Sequence, residues 1–151
     1  MPPLTNGRCS QMTNGRVTDT AVDPMFLNRW SPRAFDSSIM PAEDLRTILD
    51  AGRWAPSCYN YQPWRFLYAM RNDGLNWERF NGLLIPANSA WAKDASALIF
   101  IISNMMMGSD DKPNNSHSFD AGAAWSNIAL QSYLLGYHAH AMAGIEMARS
   151  Q

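Results

Sequence analysis

The sequence has no surplus of charge of either sign, with twelve Lys and Arg against thirteen Asp and Glu. This balance argues against the basic surface that nucleic acids or anionic membranes require. The longest strongly apolar run, from Ala97 to Ile102, is far too short to span a bilayer. Because the N-terminus also lacks the apolar core of a signal peptide, we expect a soluble, cytoplasmic protein.

Cysteine is scarce: Cys9 and Cys58 are too few and too far apart for a disulfide framework. Hydrophobic residues make up 46% and charged residues 17% of the 151 residues, which is a globular composition that fits one domain. Six Trp and ten Met are unusual. Such side chains are common at interfaces and flat-ligand sites, although a bulky core explains them equally well.

The chain divides into a tail and one domain. Residues 1–20 are rich in Pro, Gly, Asn, Thr and Ser without an apolar period, which predicts a disordered tail, and residues 21–151 form the domain. Apolar periodicity and breaker residues predict the elements of that domain. We predict one or two helical turns within 21–30, helices over 41–54, 75–84 and 117–135, a short helical turn near 89–93, and strands over 64–70, 98–102 and 137–143.

Two of these elements carry more specific expectations. Pro41 suits the first position of its helix, since Glu43 and Asp44 follow in the first turn, where the dipole favours anions. The helix over 117–135 is apolar nearly all round, so it should be buried, and Gly136 should end it. The apolar run 98–102 predicts a buried strand, and residues 105–116 predict a polar loop.

The first chemically suggestive segment is Arg29-Trp30-Ser31-Pro32-Arg33-Ala34-Phe35. It places two guanidinium groups and one hydroxyl within five residues, beside a proline that breaks the preceding helix. Arginine donates in a planar fork that matches phosphate oxygens. Taken alone, the segment is a weak anion-site signal, because arginine-rich loops are usually just solvated.

The second suggestive segment runs from Ala55 to Phe66 and joins a predicted helix to a predicted strand. It concentrates Ser, Asn and Gln, which donate and accept hydrogen bonds, beside Tyr59, Tyr61 and Trp64. Such a loop suits a flat heterocycle with donors and acceptors on its edge. A turn whose side chains satisfy its own backbone is the simpler explanation for Ser57 or Asn60 taken singly.

Together, the two segments resemble the N-terminal signature of the nitroreductase family. The pattern is Arg-x-Ser-x-Arg-x-Phe, an acidic helix, and then Ala-Pro-Ser-x-x-Asn-x-Gln-Pro-Trp. Three later features fit the same family: the run 118–124 that opens the long helix, Leu135-Gly136-Tyr137, and Ala143-Gly144. Order and spacing match from about Pro24 to Gly144.

The resemblance implies bound FMN and assigns residues to it. Arg29 and Ser31 would contact the phosphate and ribityl end, and Arg33 would stabilise the anionic reduced flavin near its N1 and O2 edge. The remaining cofactor contacts implied are Pro56, Ser57 and Asn60 along the flavin and ribityl chain, and the backbone of Ala143 and Gly144 near flavin N5. No catalytic side chain and no metal is implied.

The resemblance also implies a fold, a partner and a reaction. The fold is α+β, with a central mixed sheet flanked by helices around a long buried helix. The assembly is a homodimer with one FMN at each of two interface sites. The implied activity is that of an NAD(P)H-dependent flavoprotein oxidoreductase, in which hydride from NADH or NADPH reaches a nitroaromatic, quinone or similar small acceptor through the flavin.

Family members usually continue for several tens of residues past Gly144, so the resemblance implies a domain that is incomplete at its C-terminus. Two alternatives therefore stand beside the oxidoreductase. One is a family relative with different flavin chemistry, such as reductive dehalogenation or flavin breakdown. The other is a truncated, non-catalytic flavin-binding remnant.

Other reactive residues give weaker signals. His138 and His140 would point to one side of a strand, but a metal needs further ligands than the sequence supplies nearby. Cys58 has no matched base that would make it a nucleophile. Asp120 is interpreted as a first-turn acid of the long helix rather than a catalyst.

Overall fold

A computed structural model describes residues 15–108 and 112–146 of the chain. Residues 1–14 of the expected tail, including Cys9, lie outside this description, as do residues 109–111 and 147–151, whereas residues 15–20 are exposed. The helices are α1 Pro24–Asn28, α2 Ala42–Arg53, α3 Gly74–Asn81, α4 Pro86–Ala92 and α5 His117–Leu134. The strands are β1 Trp64–Met70, β2 Ala97–Ser103, β3 Met106–Met107 and β4 Lys112–Pro113, and a 3₁₀ turn covers Cys58–Asn60.

The predicted α+β class is confirmed. Strands β1 and β2 pair antiparallel along their whole length, from Trp64 opposite Ser103 to Met70 opposite Ala97. Strands β3 and β4 form a second small antiparallel pair inside the segment predicted as a polar loop. Where a mixed sheet was expected, the described residues thus form two antiparallel pairs. Strands β1 and β2 each have one paired strand among the described residues. The strand expected to be buried is therefore only partly buried, and its Ile102 is 47% exposed.

The prediction of a strand over residues 137–143 is wrong. This segment has no ladder, and the chain after α5 makes a single isolated bridge, between Leu84 and Ile145. Side-chain contacts hold this segment instead of a β ladder, since the imidazole of His140 bonds the carbonyl of Pro32 and packs against the ring of Trp91 in helix α4.

Helices α2 and α5 pack closely and run antiparallel. Near the middle, a Cβ on Gly52 would lie 2.9 Å from Cγ1 of Ile128, so only a hydrogen fits there. At one end the hydroxyl of Tyr137 donates to the carboxylate of Asp44 over 2.6 Å. Cys58, five residues past the end of α2, bonds the first turn of α5. The eighteen residues of α5 make a rod of about 27 Å, which separates these two ends.

The long helix forms as predicted, and Gly136 ends it in a left-handed conformation, with a φ of 84°. One face packs into the core through Ala124, Ile128 and Ala129. The opposite face also carries apolar side chains, but no other part of the described chain covers them: Phe119 is 81% exposed.

Several element boundaries differ from the sequence expectations. Pro41 is the N-cap of α2 rather than its first helical residue. The short turn predicted near 89–93 is the helix α4, which starts earlier because Pro86 occupies its first turn. Within the described ranges, no helix is long and apolar enough to cross a bilayer.

The close approach of α2 to α5 gives a stability prediction with a matched control. Gly52→Ala should lower the free energy of unfolding by about 1–3 kcal/mol, because the added methyl overpacks against Ile128. Gly122→Ala in α5 should instead raise it by about 0.5–1 kcal/mol, since a Cβ there meets nothing within 4 Å. Urea unfolding measures both. A higher free energy of unfolding in Gly52→Ala would contradict the close packing of α2 on α5.

Candidate functional site

The loop between α1 and α2 presents the two arginines and the serine of the first segment. Asp23 caps α1 by accepting from the N–H of Met25, and Pro24 follows at the start of the helix. The helix lasts five residues, and Arg29 caps its end. Its Nη1 then lies 3.5 Å from the hydroxyl oxygen of Ser31. The short helix therefore places a guanidinium and a hydroxyl side by side at the surface.

The guanidinium groups of this loop are not neutralised. The ion pairs found among the described residues are Arg53 with Asp50 and Lys93 with Asp94, and neither involves Arg29 or Arg33. The Arg29 guanidinium beside the Ser31 hydroxyl, with a second arginine at position 33 of the same loop, makes a set that suits a phosphate group.

The basic loop is tied to the segment that follows α5. The imidazole Nδ1 of His140 donates to the carbonyl of Pro32 over 2.8 Å. The rings of Trp30 and His138 meet edge to face, with centroids 5.8 Å apart. The two histidines are thus held by different partners, and the described residues contain no group of three or more residues that could hold a metal.

His138 is held in its neutral form. Burial lowers the pKa of its imidazole below the ordinary 6.5, and the nearby positive charge of Arg29 lowers it further. Its Nδ1 is buried without a hydrogen-bond partner in the described part of the chain. Arg16 adds a third guanidinium beside the loop, since its Nη1 donates to the carbonyl of Arg29 over 3.1 Å.

The second segment forms a tight turn of unusual backbone geometry. Tyr59, Asn60 and Gln62 have φ values of 48°, 58° and 49°. These values lie in the left-handed region, which residues other than glycine rarely adopt. Two hydrogen bonds within the turn support it. The Ser57 hydroxyl accepts from the backbone N–H of Gln62, and the Asn60 side-chain oxygen accepts from the side-chain nitrogen of Gln62. The Asn60 side-chain nitrogen makes no hydrogen bond to described residues and faces solvent.

This turn is anchored to the first turn of α5, a contact that sequence reasoning missed. The N–H of Cys58 donates to Oδ2 of Asp120 over 3.2 Å, and the hydroxyl of Ser116 donates to the same oxygen over 3.0 Å. Asp120 was interpreted as a first-turn acid, and it does occupy that position. Its contact with a turn 62 residues away carries no sequence signal.

Of the remaining predicted residues, Pro56 directly precedes the turn, and Ala143 and Gly144 lie on the segment after α5. Pro56 and Ala143 are exposed. The carbonyl of Gly144 accepts from the backbone N–H of Ile85 and from the Asn88 side chain, each over 3.2 Å. A Cβ on Gly144 would lie 2.5 Å from atoms of both residues. The requirement for glycine at this position therefore already follows from packing on the start of α4.

The two segments do not meet within one chain. In the described residues, no hydrogen bond, ion pair or ring contact joins 29–35 to 56–62. A cavity of about 870 Å³ is lined by Trp30 and Pro32 of the basic loop, together with Trp91 and Trp125, but by none of residues 56–60. The turn is hydrogen-bonded to the first turn of α5, whereas the basic loop is hydrogen-bonded to the segment after α5.

Comparisons with known proteins agree on one family. The profile of the nitroreductase family matches residues 27–82, a stretch that contains both segments. A crystal structure described as an oxidoreductase containing FMN shares 53% identity with a TM-score of 0.84, over 95% of this chain and 70% of that chain.

Two further structures are more distant. A protein from Desulfovibrio desulfuricans, described as a nitroreductase in complex with FMN, is 27% identical with a TM-score of 0.62, over 78% of this chain and 65% of that chain. One from Clostridium acetobutylicum, described as an NADH oxidase, is 27% identical with a TM-score of 0.59, over 74% of this chain and 63% of that one. The chain thus spans less than two thirds of the length of both. No curated protein matches it significantly.

The lowered pKa of His138 predicts how the fold responds to acid. Between the folded pKa and the ordinary value of 6.5, the unfolded chain binds more protons than the folded one. The free energy of unfolding should therefore fall as the pH drops from about 7 to about 5. His138→Gln removes this titration and should flatten the slope, which urea unfolding at several pH values measures.

The two carboxyl groups with shifted pKa values do not contribute to the slope in this pH range. A hydrogen bond from Ser38 lowers the pKa of Asp36 and one from Lys93 lowers that of Asp94, both below 3.8. Their contributions are present above about pH 4 and are lost only below it. An unchanged slope in His138→Gln between about pH 7 and pH 5 would show that the imidazole is not held neutral.

Proposed function

Because the chain belongs to the nitroreductase family, we propose that it is an FMN-dependent oxidoreductase that uses NADH or NADPH. The acceptor is a nitroaromatic, a quinone or a similar small molecule. The observation that carries the proposal is the pair of arginines beside Ser31, which no carboxylate of the described residues neutralises. The similarity to an oxidoreductase containing FMN supports it.

The basic loop fits the anionic end of FMN. Arg29 and Ser31 hold the phosphate and the ribityl end, since a guanidinium fork and a hydroxyl satisfy phosphate oxygens. Arg33 would lie at the N1 and O2 edge, where its positive charge would favour the anionic reduced flavin. Burial and the charge of Arg29 lower the pKa of the neighbouring His138, which disfavours its protonation beside the arginines.

The turn fits the flat and sugar-like parts of the cofactor. Pro56, Ser57 and Asn60 would line the flavin and ribityl chain, and the exposed Asn60 side chain would supply a donor. Ala143 and Gly144 would approach flavin N5 through their backbone. The carbonyl of Gly144 is already bonded, while its N–H donates to no group among the described residues and so offers a donor to the flavin.

FMN, when bound, would supply two-electron hydride chemistry between NAD(P)H and the acceptor. The chain itself supplies binding, orientation and electrostatics, so no protein nucleophile is needed. Dependence on reduced nicotinamide nucleotides, which cells keep inside, also favours a cytoplasmic protein.

We propose that the working form is a homodimer, in which the turn of one copy completes the site that the basic loop of the other begins. The two segments are tied to opposite ends of the α2–α5 pair, so one chain does not bring them together. Uncovered aromatic rings on α5 and beside the turn, at Phe119, Trp54 and Tyr59, support an interface on this side.

The role of the basic loop can be tested by FMN affinity. Arg29→Gln should weaken FMN binding by about 10- to 150-fold, because a charge-assisted hydrogen bond contributes roughly 1.5–3 kcal/mol. Arg53→Gln is the matched control, since Arg53 is exposed and pairs with Asp50 on α2. Quenching of flavin fluorescence measures both.

The same experiment tests the function as a whole. Purified protein should be yellow with FMN, and the flavin should bleach when NADH or NADPH is added without oxygen. Protein that stays colourless in excess FMN, or equal affinities in the two arginine variants, would contradict the proposed function.

The dimer can be tested through its exposed rings. Phe119→Glu should give a monomer that binds FMN weakly, because a charge replaces an apolar contact beside the turn. Leu75→Glu is the control, since Leu75 on α3 is 72% exposed but lies on another element. Light scattering after gel filtration gives the mass. A dimeric Phe119→Glu protein with normal FMN affinity would place the interface elsewhere.

A further inference from the structure

A buried carboxylate holds the turn that carries Ser57 and Asn60. Asp120 is 3% exposed and lies in the first turn of α5. Its Oδ2 accepts the N–H of Cys58 over 3.2 Å. Among the described residues, this is the one hydrogen bond that joins residues 57–60 to a helix or a strand.

The turn needs an external hold because its backbone is strained. Directly after Cys58, Tyr59 and Asn60 adopt left-handed conformations, with φ values of 48° and 58°. Such conformations persist only where the surrounding structure fixes them. Bonds inside the turn shape it, but they do not set its position on the molecule. Arg65 of β1 bonds the carbonyl of Gln62 at the end of the turn, and the Cys58 N–H attaches the part with Ser57 and Asn60 to α5.

The acceptor for that N–H is itself fixed in place. The hydroxyl of Ser116 lies 3.0 Å from Oδ2 of Asp120 and 2.9 Å from the side-chain oxygen of Asn114. Asn114 is buried, and its N–H bonds the carbonyl of Met105. The positive end of the α5 dipole also favours a carboxylate at this place. A chain of polar contacts thus runs from the β3–β4 region through α5 to the turn.

We propose that Asp120 is a positioning residue that holds the turn in the conformation that contacts the flavin. This inference rests on the FMN site proposed above. Asp120 does not touch the cofactor, and its effect is transmitted through the backbone of Cys58. When the hold is lost, the turn spends less time in the competent conformation, and the apparent affinity for FMN falls by that fraction.

The first arm of the test does not use FMN. Amide hydrogen exchange of the whole chain reports the Cys58 N–H and the turn around it. Asp120→Ala removes the acceptor and should speed exchange at Cys58. Asp120→Asn keeps a side-chain oxygen that accepts the same bond, so its exchange should stay close to that of the original protein.

The second arm measures FMN affinity in the same proteins. Asp120→Ala should weaken binding about tenfold or more, whereas Asp120→Asn should stay within about threefold. Ala129→Gly is the control for a loss of helix stability: Ala129 is buried in α5 and lies away from the turn. It should lower the melting temperature while leaving both FMN affinity and Cys58 exchange unchanged.

The two arms separate the possible failures. If the original protein does not bind FMN, the proposed function fails, and the exchange arm still decides whether Asp120 holds the turn. If Asp120→Ala exchanges and binds like the original protein, the positioning role is overturned. A parallel loss of affinity in Asp120→Ala and Ala129→Gly would also overturn it, since general destabilisation would then explain both.

Discussion

The close antiparallel packing of α2 on α5 is the constraint on which the rest of the molecule depends. It requires that residue 52 be glycine, because any Cβ would meet Ile128. It also fixes what lies at the two ends. At one end α2 leads into the polar turn and α5 begins, and at the other Tyr137 meets Asp44. About 27 Å of α5 lies between these ends, and we propose for this reason that one site takes the turn and the basic loop from two copies.

This separation explains features that would otherwise look unfavourable. A soluble chain rarely leaves rings such as Phe119 and Trp54 open to water without a use for them. A turn with several left-handed residues is also costly unless its surroundings fix it, and the buried Asp120 binds it from outside. In our proposal both features serve one purpose, which is to present the turn of one copy to the arginines of another.

Local patterns predicted the elements well and long-range contacts poorly. Strand β1 has the predicted bounds because Pro63 stops the chain before it and its apolar residues continue to Met70. The strand expected over 137–143 does not form, and the segment is held instead by the contact of His140 with Trp91 and by its hydrogen bond to Pro32. The resemblance named candidate residues in both segments, but not their separation or the role of Asp120, since no spacing rule links positions 62 residues apart.

The division of the site between two copies is tested most directly by mixing defective subunits. One variant carries Arg29→Gln and Arg33→Gln, and the other carries Ser57→Ala and Asn60→Ala, each with a different tag. Both homodimers should bind FMN weakly, while the purified heterodimer should bind about one FMN tightly, because one of its two sites is then intact. A heterodimer that binds as weakly as both parents would show that each site lies within a single chain and would contradict the account.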